Sequence, residues 1–181
     1  MASGYFALKM TGDAALLRKL DTLPTKLHNQ VSRSTLAKGA SIVAKAMRAT
    51  ARAMAKDSGV LAKSIGQRKK TVRGKGLNYA VIGPMRQSWW VNRDGVVTKQ
   101  NPANYAHLVE FGTGGHKIST EHADALKLPG GGFADSVRHP GSAPRPFMRT
   151  AWSSSVRSAE AAMAADIRVQ LAKVAKASGS K

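Results

Sequence analysis

Five histidines and ten carboxylates are the side chains in this chain best suited to acid–base or metal chemistry. His107 and Glu110 stand three positions apart, on one side of the chain if that segment is helical. His116, His122, Asp124 and His139 fall in a glycine-rich region. A basic protein carrying such groups could in principle cleave nucleic acid with a metal ion. Their spacing, however, matches no ligand pattern such as His-Glu-x-x-His, and the histidines of the glycine-rich region keep no fixed register. The run from Gly112 to Ser119 lacks the G-x-x-x-x-G-K-[ST] spacing that sets a lysine on a phosphate. There is no Gly-x-Ser-x-Gly elbow, and the absence of cysteine removes thiol nucleophiles, disulfides and thiolate metal sites. These residues point away from an enzyme and call for no cofactor and no metal.

Charge is the stronger signal. Lys and Arg number 29 against 10 Asp and Glu, a formal net charge of +19. Such an excess cannot be paired within the chain and favours contact with phosphate, anionic lipid or an acidic protein surface. It is also uneven: residues 1–90 carry 17 cations and 3 anions, and residues 91–181 carry 12 and 7. Between Asp21 and Asp57 there is no acid but seven bases: Lys26, Arg33, Lys38, Lys45, Arg48, Arg52 and Lys56. On a helix these project into one arc of about 140°. Without acids at i+4 they gain nothing from intrahelical pairs and crowd like charge together. The arc is therefore expected to meet duplex phosphates or an acidic partner; a solvated polar face is the plain alternative.

The elements that would carry these residues follow from periodicity. A short helix capped by Asp13 is expected over 13–20, and Pro24 opens a long helix reaching about Lys56, a rod of roughly 50 Å. Its apolar seam runs through Leu36, Ala40, Val43, Met47, Thr50 and Met54. Residues 57–65 read as a short capped helix, 67–84 and 88–98 as hairpins, and 102–113 as a short helix ended by Gly112. Trp89 and Trp90 suit a hairpin anchor or subunit contact, because aromatics are too sparse for a base-stacking platform. From about 114 to 141 the chain reads as a long loop of the kind that serves function or subunit contact. A last helix runs to about Ala177 with an apolar stripe of Met148, Trp152, Val156, Ala159, Met163, Ile167 and Val174, and the final residues, 178–181, are expected to fray.

The expectation is one α+β domain over 1–181. In it an antiparallel sheet of β-hairpins packs against the long basic N-terminal helix and the long C-terminal helix. No apolar run reaches the ~20 residues of a membrane span, and the alanine-rich side of the basic helix is poor for lying on a membrane. A soluble protein made in a cytoplasm, with no membrane partner, is expected.

Several pieces occur in a telling order: Gly12 with Leu16, Leu17 and Leu20, the basic helix, then Ser58-Gly59-Val60-Leu61 with Ser64-Ile65. After the hairpins come Tyr105-Ala106, Val109-Glu110-Phe111-Gly112-Thr113, His139-Pro140-Gly141, Pro144, Pro146-Phe147 and Ala151. Together they resemble the neck and tail-completion family of long-tailed bacteriophages, which includes minor tail components and head–tail joining proteins. The sequence Tyr-Ala-x-x-Val-Glu-Phe-Gly-Thr, then His-Pro-Gly, then Pro-Phe-x-x-Ala is the most specific part. Residues 49–53 stand where the family usually has a proline, which lets the helix run on unbroken.

The resemblance implies a structural virion protein at the neck, assembled in the host cytoplasm. It would form a ring of identical subunits, six to match a six-fold tail, that completes the tail end and joins it to the head. Its partners would be itself, the connector or stopper, the terminator or tail tube, and the double-stranded genome in the channel. A tail terminator of the same neck and a free-standing, non-specific DNA-binding protein are the alternatives. Tyr105, Glu110, Phe111, Gly112, His139, Pro140, Gly141, Pro146 and Phe147 are the expected subunit or partner contacts, or else they hold the fold. Tyr105 and Phe111 would anchor their helix to the sheet, and Glu110 would pair with an arginine of the same or an adjacent subunit. Pro140-Gly141 would make a tight turn, and Pro146 with Phe147 would open the last helix.

Overall fold

The computed structural model describes residues 14–21, 23–54, 59–72, 77–87, 89–93, 96–120, 125–128 and 130–178. The expected cap Asp13, the end of the long helix at Lys56, the hairpin turns and the final three residues lie outside them.

Two long helices form the frame. α1 (Ala14–Asp21) precedes α2 (Thr25–Met54), which runs through Ala49–Ala53 without a break. The last helix, labelled α5 in chain order, spans Phe147–Ser178. Thr35 meets Asp166 at one end, while Met47 and Ala51 share a cluster with Phe147 and Ala151 at the other, so α2 and α5 run antiparallel. Small residues allow the close approach. A side chain at Gly39 would strike Met163, and Ala40, Ala44 and Ala159 are buried nearby.

The buried face of α2 takes in Ala40, Val43 and Met47 of the expected seam, but also Val31, Thr35, Ala44 and Ala51. It is wider than a two-helix seam because β1 and β2, described next, cover a second side of α2. On α5 the stripe shifts by one residue at its start. Phe147, Ala151 and Ser155 are buried where Met148, Trp152 and Val156 are half-buried, and the two readings converge at Ala159, Met163 and Ile167. Ser155 is tolerated inside because its hydroxyl donates to the Ala151 carbonyl at 2.6 Å.

Between the long helices, α3 (Val60–Ser64) leads into the hairpin β1 (Ile65–Val72) and β2 (Leu77–Pro84). The register pairs Ile65 with Pro84 and Val72 with Leu77. A second hairpin, β3 (Trp89–Arg93) and β4 (Val96–Gln100), precedes α4 (Pro102–Phe111). The main core gathers Met47, Ala51, Ala62, Ile65, Ala106, Phe147 and Ala151, drawing on α2, α3, β1, α4 and α5. A smaller cluster of Leu16, Val31 and Ile167 fixes α1 across the far ends of α2 and α5.

The class is α+β, as expected, but the hairpins do not merge into one sheet; the described strands form separate two-stranded antiparallel ladders. The segment read as a loop over 114–141 also holds ladders. β5 (His116–Ser119) pairs with β8 (Ser136–His139), and inside them β6 (Leu126–Lys127) pairs with β7 (Phe133–Ala134). All of β5 is exposed, so no side chain alternates between core and solvent. Backbone pairing makes the ladder without a buried apolar face, and apolar periodicity cannot report it.

Asp166 is the polar staple of the helix pair. It is buried, accepts from Thr35 Oγ1 at 2.9 Å and pairs with Lys38 Nζ. Burial pushes its carboxyl up, but hydrogen bonds from Lys38 and Thr35, the charge of Lys38 and a bond from Gln170 outweigh it and hold the carboxyl below the ordinary aspartate value. A carboxyl that releases its proton more readily folded than unfolded stabilises the fold fully above the ordinary value. That contribution is lost as the pH falls through the lower folded-state value. Asp166→Asn should therefore cost stability at neutral pH and flatten the acid limb of the stability–pH curve, read by urea melts between pH 2 and pH 7. Phe147→Ala, at a site with no exposure, should cost about 3–5 kcal/mol in the same assay.

Candidate functional site

Two regions gather the residues singled out by the sequence: a joint between α4 and the start of α5, and the basic side of α2. Asn101 caps α4, its side chain accepting from Ala103 N at 3.2 Å, and Pro102 takes the first helical turn. With Ala106 and Glu110 four apart, one face of α4 turns inward. Glu110, 1% exposed, then aims its carboxylate at the N-terminus of α5. It accepts from Met148 N at 2.8 Å, from Arg149 N at 3.1 Å and from Arg149 Nε at 3.0 Å. Arg149 Nη2 also donates to the Glu110 carbonyl at 3.2 Å. The first N–H groups of a helix have no carbonyl of their own, and its N-terminus is positive, so one buried carboxylate meets both needs.

The chain then turns back on itself. Thr113 and Ser142 exchange backbone hydrogen bonds of 2.9 and 3.1 Å, with a glycine on each flank. Gly112 (φ +74°) and Gly141 (φ +89°) adopt conformations that other residues resist. A side chain at Gly112 would run into Ser142 and Pro144, and one at Gly141 into Thr113 and Gly114. Gly141 N donates to His139 Nδ1 at 3.0 Å, closing the His-Pro-Gly turn, and Arg145 N donates to the Val109 carbonyl at 2.8 Å. An open groove of about 400 Å³ lies between Tyr105, Leu108 and Val109 of α4 and Thr113, Ser142 and Arg145 opposite.

Of the expected contact residues, Glu110 and Phe147 are buried inside the chain, and Glu110 takes its arginine from the same chain. Tyr105, Gly112, His139, Gly141 and Pro146 are half-buried, and Pro140 is exposed. Phe111 does not anchor its helix. The inward turn of Ala106 and Glu110 leaves it 54% exposed, with the Arg149 guanidinium 5.0 Å from its ring centre.

The histidines are dispersed. His107 is exposed, while His116 and His139 face each other across β5 and β8 with ring centres 5.1 Å apart. His122 and Asp124 lie outside the described residues. Among the described residues no three of His, Asp and Glu come together as metal ligands.

The basic row of α2 is less uniform than its spacing suggests. Lys38 is neutralised by Asp166, and Arg48 Nε donates to the Ile65 carbonyl at 2.9 Å. Arg33, Lys45 and Arg52 are exposed with no acidic partner among the described residues. Lys56 and the side chain of Lys26 lie outside the described set. Sequence reasoning missed Asp166 and Arg149. A carboxylate beside Ile167 in an apolar stripe, and a base two positions after Phe147, were the available signals.

The model of a family described as "Bacteriophage HK97-gp10, putative tail-component" matches residues 14–112. No curated protein and no solved structure matches the chain.

Glu110→Ala should lower stability by about 2–4 kcal/mol, since it strips an anionic cap and its three charge-assisted hydrogen bonds from α5. Glu110→Gln, which keeps an acceptor but no charge, should lose about half as much. Urea denaturation followed by circular dichroism reads both.

Proposed function

This chain belongs to the HK97-gp10-like family of bacteriophage tail components, and on that premise we propose that it is the neck subunit that completes the tail end and joins it to the head. A tail component resides in the virion, and no described helix is long and apolar enough to cross a membrane. The role is mechanical and adhesive, not catalytic. Identical subunits form a ring, six in number to match the tail, around the channel through which the genome passes. One side of the ring meets the connector or stopper, and the other meets the terminator or tail tube.

The observation that carries this reading is the stock of unpartnered contact surface. The β3–β4 hairpin has no substantial contact with another described element, and it carries Trp90 at 71% and Val97 at 56% exposure. The β6–β7 ladder likewise stands apart and exposes Phe133. A lone two-stranded hairpin is barely stable in water, and large exposed apolar groups mark protein contacts. Arms of this kind suit a subunit whose folding is finished by its neighbours. Duplex DNA in the channel suits the net charge of +19.

A phage carrying a nonsense mutation in this gene should accumulate filled heads and separate tails, counted by electron microscopy of lysates. Joined, infectious particles without the protein would overturn the proposal. Trp90→Ser should shift the native mass of the purified protein from a ring of six chain masses toward the monomer, with urea stability changed by less than about 0.5 kcal/mol, as for an exposed site.

A further inference from the structure

We infer that the β3–β4 hairpin of one subunit docks in the α4 groove of the next, with Trp90 as the inserted side chain, and that this contact closes the ring. The inference rests on the ring proposed above. More than two identical subunits close into a ring only through a heterologous contact, in which two different patches of the chain meet. Each chain must then carry a projecting half and a receiving half. The hairpin is the first. Trp90 stands opposite Lys99, and Val97 lies two positions from Lys99 on β4, so the three share one face of the ribbon. Trp90 is 71% and Val97 56% exposed, and Lys99 Nζ lies 5.9 Å from the centre of the Trp90 ring.

The groove is the receiving half. Leu108 lines it with Tyr105 and Val109 on one wall, and Arg145 stands on the other. Leu108 and Phe111, three apart on the outward side of α4, are 42% and 54% exposed. Pockets that take small ligands start at about 300 Å³, so the groove's volume of about 400 Å³ has room for an indole. Asn101 alone separates β4 from α4, yet no residue of β3 or β4 lines the groove, and the hairpin has no substantial contact with α4 among the described residues. The groove is thus left to the hairpin of another copy. The chemistry of the two halves matches. Tryptophan is the ring a guanidinium prefers, Arg145 borders the groove, and Arg149 already lies 5.0 Å from the Phe111 ring centre at the same joint. Phe133 is as exposed, at 73%, but stands alone as a large apolar group on its ladder, whereas Trp90 has Val97 on its own face. Lys99 on one half and Arg145 on the other put like charge at the rim of an apolar contact, so salt strengthens it.

The chain has no cysteine, so two introduced thiols report this contact alone. Lys99→Cys, beside Trp90, and Ala143→Cys, on the groove, are both at exposed sites. In purified protein treated with a short bis-maleimide, the double variant should give a ladder of linked chains on a denaturing gel, up to the full ring. An equal mixture of the two single variants should stop at dimers. Adding Trp90→Ser to the double variant should cut linking at least about tenfold, as for a side chain at the centre of an interface, with helicity by circular dichroism unchanged. Linking should hold or rise with salt. Dimers from Lys99→Cys alone, which would mean that arm meets arm, overturn the inference. A ladder that survives Trp90→Ser or fades with salt does the same. So does a ladder from Phe133→Cys with Ala143→Cys where Lys99→Cys gives none. Native mass on the same samples separates the two readings: a ring without the ladder overturns this contact and leaves the ring, and a monomer overturns both.

Discussion

The fold turns on one buried carboxylate. Glu110 ends a ten-residue helix and caps a 32-residue one, so the first turn of α5 is tied to the last turn of α4. Because the charge is buried, removing its partners would be costly, and the geometry around it is correspondingly confined. Gly112 and Gly141 are the only residues that fit where the two strands of the joint cross, and Phe147 plugs the core directly beneath the capped turn. The motif residues from Val109 to Phe147 thus form one mechanical unit. It delivers α5 antiparallel to α2 and fixes where the segment from 114 to 141 leaves and re-enters the body.

Charge is distributed to suit that frame. The two principal ion pairs each tie a helix to its neighbour: Asp166 with Lys38 joins α5 to α2, and Glu110 with Arg149 joins α4 to α5. Acids are so scarce that little remains to balance the exposed cations of α2 and β1. Self-repulsion on that side falls as salt rises or when an external polyanion lies against it. A monomer in dilute salt is therefore electrostatically incomplete, as it is sterically incomplete at its exposed hairpins.

Both kinds of incompleteness are what an assembly subunit needs. The frame, α2 with α5 and the main core, is where the buried apolar residues gather. The β3–β4 and β6–β7 hairpins present exposed apolar side chains and open strand edges, which isolated two-stranded ladders leave poorly stabilised in water. Among the described residues, β3–β4 and β6–β7 have no substantial contact with that frame.

The sequence by itself determined the two long helices, the hairpins and the short helix ended by Gly112, because 3.6-residue and two-residue periodicities, caps and turn residues are local. It also determined the cationic excess and the motif set of the joint. Only the tertiary structure decided which face of each helix is buried, since α5 touches different partners along its length and its stripe shifts from Met148 to Phe147 accordingly. It decided that Glu110 works inside the chain while Phe111 faces outward, a difference of one helical position that only the packing partner can select. The pairing of Asp166 with Lys38, 128 residues away, and the bond from Gln67 of β1 to Ser41 of α2 are long-range events. No local pattern encodes them: the energies that fix them arise only when distant segments meet.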